Sequence, residues 1–429
     1  MPSLGWYGRA AVPPAPFWLH LGKGAQWPVA MALLAALRSE RPAMPMLITH
    51  AGGETGSAAW HNSNGASSDR SQSDWAQSPP WRAGDREVWA PLDLNGAAGR
   101  FVGHFAPAVG VLLGMAWPPT LLQQTRRAGV AMLLAQGRID DCSGPRARLS
   151  ARLRALGLRQ LAAVLVSSAY EQRQFQSAGA ARVQLVGNPA FDATPPARQV
   201  ARGLQWRQRL SRPALVAMGT DAASEAQLLR RWKAMPGPRA LLVLVPQDPQ
   251  RCDELVRQWR AAGWRVARRS RWASHPGEAD LQADLWLADL AGEAATLYAM
   301  ADAAMLASSF STDAGLQPML AVACGCPLVI GSSAIRSLVM DPVGQTAPVG
   351  GQADPWSELL LATGALRHAD SVPQALDMAL HMALAPQRNQ WVQEGLRFAQ
   401  THRDAAHRVV VEALAHARPD GQQGRAAQR

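Results

Sequence analysis

Short apolar runs alternate with amphipathic stretches along most of the chain, the pattern of βαβ units that build parallel sheets. In the first half the runs predict strands at Phe17–Leu21, Met46–Thr49, Val109–Leu113, Ala131–Ala135, Ala163–Ser167 and Val183–Val186. A second series predicts strands at Ala214–Met218, Ala240–Val245, Arg265–Ala267, Asp284–Leu287, Ala303–Leu306 and Pro327–Ile330. Helical spacing falls between them at Pro28–Arg38, Thr120–Ala128, Ala169–Gln176, Ala223–Ala234, Cys252–Ala262 and Glu293–Met300, and again over Ala385–Ala417.

Two strand series joined by an arginine-rich stretch predict two sheets, each with helices on its faces. The expected organisation is an amino-terminal Rossmann-like domain over 1–193, a linker over 194–212 and a second Rossmann-like domain over 213–384. A helical segment over 385–417 and a disordered basic tail over 418–429 follow. Residues 57–84, rich in Ser, Asn, Gln and Gly and without apolar periodicity, are expected as a disordered insertion. Open α/β sheets bind ligands beyond the carboxyl ends of their strands, so two such domains place a site in the cleft between them.

Composition narrows the class. The chain has 429 residues, 48% apolar and 17% charged, as a folded two-domain protein requires. No apolar run reaches the roughly 18 residues of a membrane span, and the first twenty residues lack the pattern of a signal peptide, so a cytoplasmic location is expected. The net charge is +11, carried almost wholly by arginine, since only Lys23 and Lys233 are lysines. Such a surface attracts phosphates, whether of nucleic acid, an anionic leaflet or a phosphorylated lipid. Zinc-finger spacing, an aromatic RNA-binding strand and a basic helix with heptads are all missing, which argues against nucleic acid. Cys142, Cys252, Cys324 and Cys326 show no metal-site spacing and are read as thiols.

Specific chemistry enters with a series of ordered segments: FWLHLGKGAQ from Phe17, MLITHAGGETG from Met46, APLDLNGAAGRF from Ala90, AWPP from Ala116 and VQLVGNPAFD from Val183. LVLVPQDPQR from Leu242, GEAATLYAMADAAMLASSF from Gly292 and QPMLAVACGCPLVIG from Gln317 continue it. In order and spacing they resemble the transferases of 3-deoxy-D-manno-octulosonic acid (Kdo), and the chain is identified as a divergent member of that family.

The resemblance implies a GT-B fold, α/β with two facing Rossmann-like domains and a last helix that crosses back to the first. It implies CMP-Kdo as donor, a lipid A precursor as acceptor, direct displacement with inversion, no cofactor or metal, and work at the inner leaflet of the plasma membrane. Residue by residue, the family's base-bearing loop W-x-H-A-x-S-x-G-E falls on Trp18 to Gln26, so Gln26 stands at the base position. A glutamine amide orients a hydroxyl but does not take up a proton near neutral pH. Nucleotide positions fall on Pro246, Gln247, Gly292, Glu293, Gln317 and Pro318, and acceptor or phosphate positions on Arg138 and Lys23.

Where the family has E-T-E-L-W-P this chain reads Leu113 to Pro118, and G-N-x-K-F-D retains Gly187, Asn188, Phe191 and Asp192 with Ala190 for the lysine. V-P-R-H-P-E-R becomes Val245 to Arg251, with Asp248 for the histidine, and S-T-H becomes Gly219, Thr220, Asp221. His20 or the pair Asp140 and Asp141 are candidates to replace the base, and the helix start after Thr220 is a candidate phosphate site. Three readings stay open: an active sugar transferase, a catalytically impaired relative that binds lipid A, a nucleotide or a partner enzyme, and another twin-Rossmann enzyme such as a UDP-sugar transferase or epimerase.

Overall fold

The computed structural model describes residues 15–22, 27–50, 82, 84–114, 118–137, 139, 155–192, 194–235, 240–272, 274–310, 318–331 and 360–418. The chain divides into two compact units, one of 1–192 with 404–429 and one of 193–403.

The first unit is built on a seven-stranded parallel sheet. Its strands are β1 (Phe17–Leu21), β2 (Met46–His50), β3 (Arg86–Trp89), β4 (Val109–Leu113), β5 (Ala131–Ala135), β6 (Ala163–Val166) and β7 (Val183–Leu185). They lie in the order β3-β2-β1-β4-β5-β6-β7, every neighbouring pair parallel. The central strands are buried along their whole length, which is why they read as unbroken apolar runs. Side chains alternate between the two faces. Phe17, Leu19, Met46 and Ile48 pack with Val29 and Leu33 of helix α1 (Trp27–Glu40). On the other face Trp18 and Leu47 pack with Phe101 and Phe105 of α2 (Asn95–Phe105), and with Leu121 and Leu122 of α3 (Pro119–Arg127). Helix α4 (Ala169–Ser177) follows β6, its start capped by Ser168.

The second unit repeats the plan with β8 (Ala214–Thr220), β9 (Leu241–Pro246), β10 (Val266–Arg268), β11 (Leu285–Leu287), β12 (Ala303–Leu306), β13 (Leu328–Gly331) and β14 (Leu366–Ala369). The order is β10-β11-β9-β8-β12-β13-β14, again parallel. In both sheets the chain fills one side before crossing to the other, so the order reverses between β1 and β4 and between β8 and β12.

Several elements differ from the sequence reading, among them strands β3 and β14, which it did not contain. The stretch expected as a linker over 194–212 contains helix α5 (Ala197–Arg209). It packs on α8 (Ala294–Met300), with Trp206 fully buried. The contact is close because residue 203 is glycine: a Cβ there would lie 2.3 Å from the carbonyl oxygen of Thr296. The carboxyl-terminal helical segment is interrupted. Helices α10 (Val372–Leu384) and α11 (Arg388–Thr401) belong to the second unit, whereas α12 (Ala405–Ala415) belongs to the first. The chain breaks helix at Asp404, whose φ is +68°, and α12 buries Ala406, Val409, Val410 and Ala413 in the α1 face of the first sheet. This is the crossing helix of the expected fold. Finally, Arg418, the first residue of the expected disordered tail, donates from Nε to the Gly129 carbonyl; residues 419–429 and nearly all of the 57–84 insertion lie outside the described residues.

Helices α6 (Ala222–Ala234), α7 (Cys252–Ala261) and α9 (Pro318–Ala323) complete the second unit. Among the described residues no helix is long and apolar enough to cross a membrane.

Candidate active site

In the first unit the reversal of strand order falls between the carboxyl ends of β1 and β4. The Gly22 amide donates to the Leu113 carbonyl (2.9 Å) and the Gly114 amide to that of Ala135 (3.3 Å). Lys23 and Gln26 follow Gly22 in sequence, and Met115 to Trp117 follow Gly114. All of these lie outside the described residues, as do Arg138, Asp140 and Asp141.

His20 is not placed to act as the base. It is buried on the α2 face, with Nδ1 2.8 Å from the Thr49 hydroxyl, which also accepts from Trp18 Nε1 at 2.8 Å. Burial, helped by the nearby His50, pushes its pKa from 6.5 down to about 4. At neutral pH it is therefore an uncharged ring that joins β1 to β2. A second histidine, absent from the sequence reading, ends β2: His50 Nε2 is 2.7 Å from Glu87 Oε1 on β3. The insertion between β2 and β3 hides this pairing from any local motif.

The retained G-N-x-x-F-D landmark has a structural role. Asn188 Oδ1 accepts from the Ala190 amide (3.0 Å) and from Gln136 Nε2 (3.1 Å), and Phe191 is buried. Asp192 accepts from the amides of Ala405 and Ala406 and so holds the amino terminus of α12. Burial pushes its carboxyl above the usual range while these two bonds pull it back.

In the second unit the corresponding reversal lies between β8 and β12. Gly219, with φ +71°, lies one residue before the end of β8, against Ser308; a Cβ there would meet Ser308 Oγ at 2.9 Å. Gln247, just past β9, donates its amide to the Thr220 carbonyl (2.9 Å) and Nε2 to the Gly219 carbonyl (3.1 Å). It thereby ties two strand ends together, with Pro246 buried before it. At the start of α6, Asp221 Oδ1 accepts from the Ser224 amide (2.8 Å) and Ser224 Oγ accepts from the Asp221 amide (2.9 Å). Two of the amides that a phosphate would use are thus engaged, beside a carboxylate. Glu225 is buried, accepts from Thr220 Oγ1 (3.0 Å) and is paired with Arg251 Nη2 (2.8 Å).

Glu293 does not cap α8. Its carboxylate pairs with Arg269 through both oxygens (2.7 and 2.8 Å) and with Arg202 of α5 (3.0 Å), while the Gly292 carbonyl accepts from Gln199 Nε2 (2.8 Å). The Arg269 guanidinium lies 5.0 Å from the ring centroid of Trp206 and 5.5 Å from that of Trp272. The pair Gly292-Glu293 is therefore the anchor of α5, and bidentate geometry over aromatic faces is what arginine, not lysine, supplies. Pro318 begins α9, buried; Gln317 lies outside the described residues. Pro246, Gln247 and Thr220 meet at adjacent strand ends, whereas Gly292 and Glu293 face α5.

Cys252 and Cys324 are thiols that burial pushes up to about 11 and about 12, and Cys326 is shifted the same way. Among the described residues no group of three His, Cys, Asp or Glu gathers as a metal site.

Two doubly wound parallel sheets, each reversing its strand order at the carboxyl edge, with a final helix returned to the first unit, define the GT-B class. MurG of Acinetobacter baumannii has the same fold, with a TM-score of 0.50 and 12% identity over 93% of this chain and 99% of that one. Residues 3–193 match the family model described as 3-deoxy-D-manno-octulosonic-acid transferase (kdotransferase). The chain is 29% identical over 412 residues to the 3-deoxy-D-manno-octulosonic acid transferase of Bordetella pertussis, covering 95% of this chain and 88% of that protein. It is 22% identical over 250 residues, 57% of each chain, to the transferase of the same name from Haemophilus influenzae. The chain is thus similar to the Kdo transferases, in its first 193 residues by the family model and along nearly its whole length by the Bordetella pertussis protein.

Proposed function

We propose that this protein transfers Kdo from CMP-Kdo to a lipid A precursor during assembly of the lipopolysaccharide core. The observation that carries the reading is the similarity to the Bordetella pertussis transferase, which runs through both units rather than one. In the transfer an acceptor hydroxyl attacks the anomeric carbon, its proton goes to a base, and the bond to phosphate breaks so that CMP leaves with the electron pair. The reading requires no cofactor or metal ion.

The second unit takes the nucleotide at the ends of β8 and β9, with Pro246, Gln247, Gln317 and Pro318 around it and Gly292-Glu293 holding α5 in place beside them. The first unit takes the acceptor, with Lys23 and Arg138 toward its phosphates and Gln26 orienting the hydroxyl. The arginine-rich surface supports attachment to the inner leaflet of the plasma membrane from the cytoplasmic side, where each basic residue near an anionic surface contributes about 1 kcal/mol.

The test is transfer itself. Purified protein, CMP-Kdo and the tetraacyl lipid A precursor are incubated and the lipid is examined by mass spectrometry. Growth of a Kdo-bearing product supports the proposal; unchanged acceptor, under conditions where the Bordetella pertussis enzyme converts it, refutes it.

A further inference from the structure

Two residues past β12, Ser308 is only 8% exposed, yet among the described residues its Oγ has no hydrogen-bond partner. We propose that Ser308 is a binding residue for the sugar donor, its hydroxyl donating to an oxygen of the nucleotide's phosphate beside Gly219. The proposal rests on the transferase reading above and adds to it a residue that the sequence segments did not single out.

The contrast with its neighbours is the first argument. At the same strand ends Thr220 Oγ1 donates to Glu225 (3.0 Å) and Gln247 Nε2 to the Gly219 carbonyl (3.1 Å). Ser309, next in the chain, donates from Oγ to the Leu306 carbonyl and accepts from the Gly331 amide (2.7 Å). Arg251 is paired with the buried Glu225 (2.8 Å). These groups hold β8, β9, β12 and β13 together, whereas the Ser308 hydroxyl holds nothing. A hydroxyl withdrawn from water and left unbonded is costly, so its survival at a strand end points to a group that completes it.

Placement is the second. The register of β8 against β9 slips between Met218 and Thr220, and Gly219 takes up the slip with φ +71°. A Cβ on Gly219 would lie 2.9 Å from Ser308 Oγ and 3.1 Å from its Cβ, so only glycine leaves the hydroxyl where it is. Ser308 Oγ therefore stands over bare backbone at the reversal between β8 and β12. In doubly wound sheets the glycine turn after the first strand is where backbone comes close to a nucleotide's phosphate. The start of α6 is less able to serve it, because the Ser224 amide is bonded to Asp221 Oδ1 (2.8 Å). Phosphate oxygens only accept, and a hydroxyl that donates to an anionic oxygen makes a stronger bond than one between neutral groups. The match is thus between a side chain with a proton to offer and the charged part of the donor.

The experiment titrates the full chain with CMP and with cytidine by calorimetry, in wild type, Ser308→Ala and Ser308→Thr, and follows the melting temperature of each. Ser308→Ala is expected to weaken CMP by about 10- to 100-fold, the loss of one bond to a charged acceptor. Cytidine, which lacks the phosphate, should bind wild type and Ser308→Ala alike, and the melting temperature should hold because no described residue bonds to the hydroxyl. Ser308→Thr, which keeps the hydroxyl, should restore most of the CMP affinity. Unchanged CMP binding in Ser308→Ala overturns the proposal, and so does an equal loss for CMP and cytidine, which would place Ser308 against the nucleoside. If Ser308→Ala fails to fold, Ser308→Cys decides: its thiol is a poor donor, so CMP binding at the wild-type level overturns the proposal. A wild type that binds neither ligand removes the nucleotide-donor reading and this inference together, whereas a wild type that binds CMP with an indifferent Ser308 removes the inference alone.

Discussion

The carboxyl edges of the two sheets handle their charged groups differently. In the second unit, carboxylates near the strand ends are paired with arginines: Glu225 with Arg251, Glu293 with Arg269 and Arg202, Asp289 with Arg268. In the first unit the buried arginine–carboxylate pair, Arg38 with Asp85, sits at the opposite end, where Asp85 also accepts from the Met46 amide at the start of β2. Its carboxyl edge instead carries two histidines in contrasting states, one sealed and one paired with Glu87. The second unit thus uses ion pairs to hold its strand ends, whereas the first joins β1, β2 and β3 there through histidine contacts.

The contrast can be broken most forcefully at Arg269. Replacing it with alanine leaves the largely buried Glu293 carboxylate without its bidentate partner and removes the cation from the Trp206 and Trp272 faces. A loss of about 3–5 kcal/mol is expected in the second unit. Hydrogen exchange should show α5 and α8 losing protection while β1, β2 and β4 keep theirs; equal loss in both units would erase the distinction.

Acid tests the first unit. The native His20 titrates at about 4 and the unfolded one at 6.5, so between those values the unfolded state binds the extra proton. Stability from this group is complete above pH 6.5 and declines as pH falls toward 4, by about 3 kcal/mol in all. His20→Gln should flatten that decline in a denaturant series, and an unaltered slope would show that His20 is not the sealed ring described here.

Smaller effects sharpen the picture. Gly203→Ala should cost about 1–3 kcal/mol because the new methyl meets the Thr296 carbonyl at the α5–α8 contact; calorimetric melting reads it. Asp192→Ala should cost about 1 kcal/mol and show as lost amide protection at Ala405 and Ala406, the residues that bond to it.

Much of the frame was legible in the sequence because central parallel strands are buried on both faces and read as plain apolar runs, as FWLHL, VGVLL and AMLLA do. Two of the four edge strands escaped: REVW is largely exposed, LRHA is buried only at its two ends, and neither carries an apolar run. Helix α5 escaped for another reason. It buries little besides Gly203 and Trp206, so its arginines gave it the look of a connector. At the site, Glu293 was recognisable as a residue at a strand-to-helix turn. Its partners Arg202 and Arg269, 91 and 24 positions away, were not. The His50–Glu87 pair was equally hidden, since only the parallel pairing of β2 with β3 brings positions 37 apart together.

The most direct check of the central claim, that a donor unit framed by internal ion pairs still accepts a cytidine nucleotide, is a calorimetric titration of the protein with CMP and, separately, with UDP. Saturable heat with CMP at one site per chain, and much weaker binding of UDP, is the expected outcome. No heat with CMP, or equal binding of UDP, would contradict it.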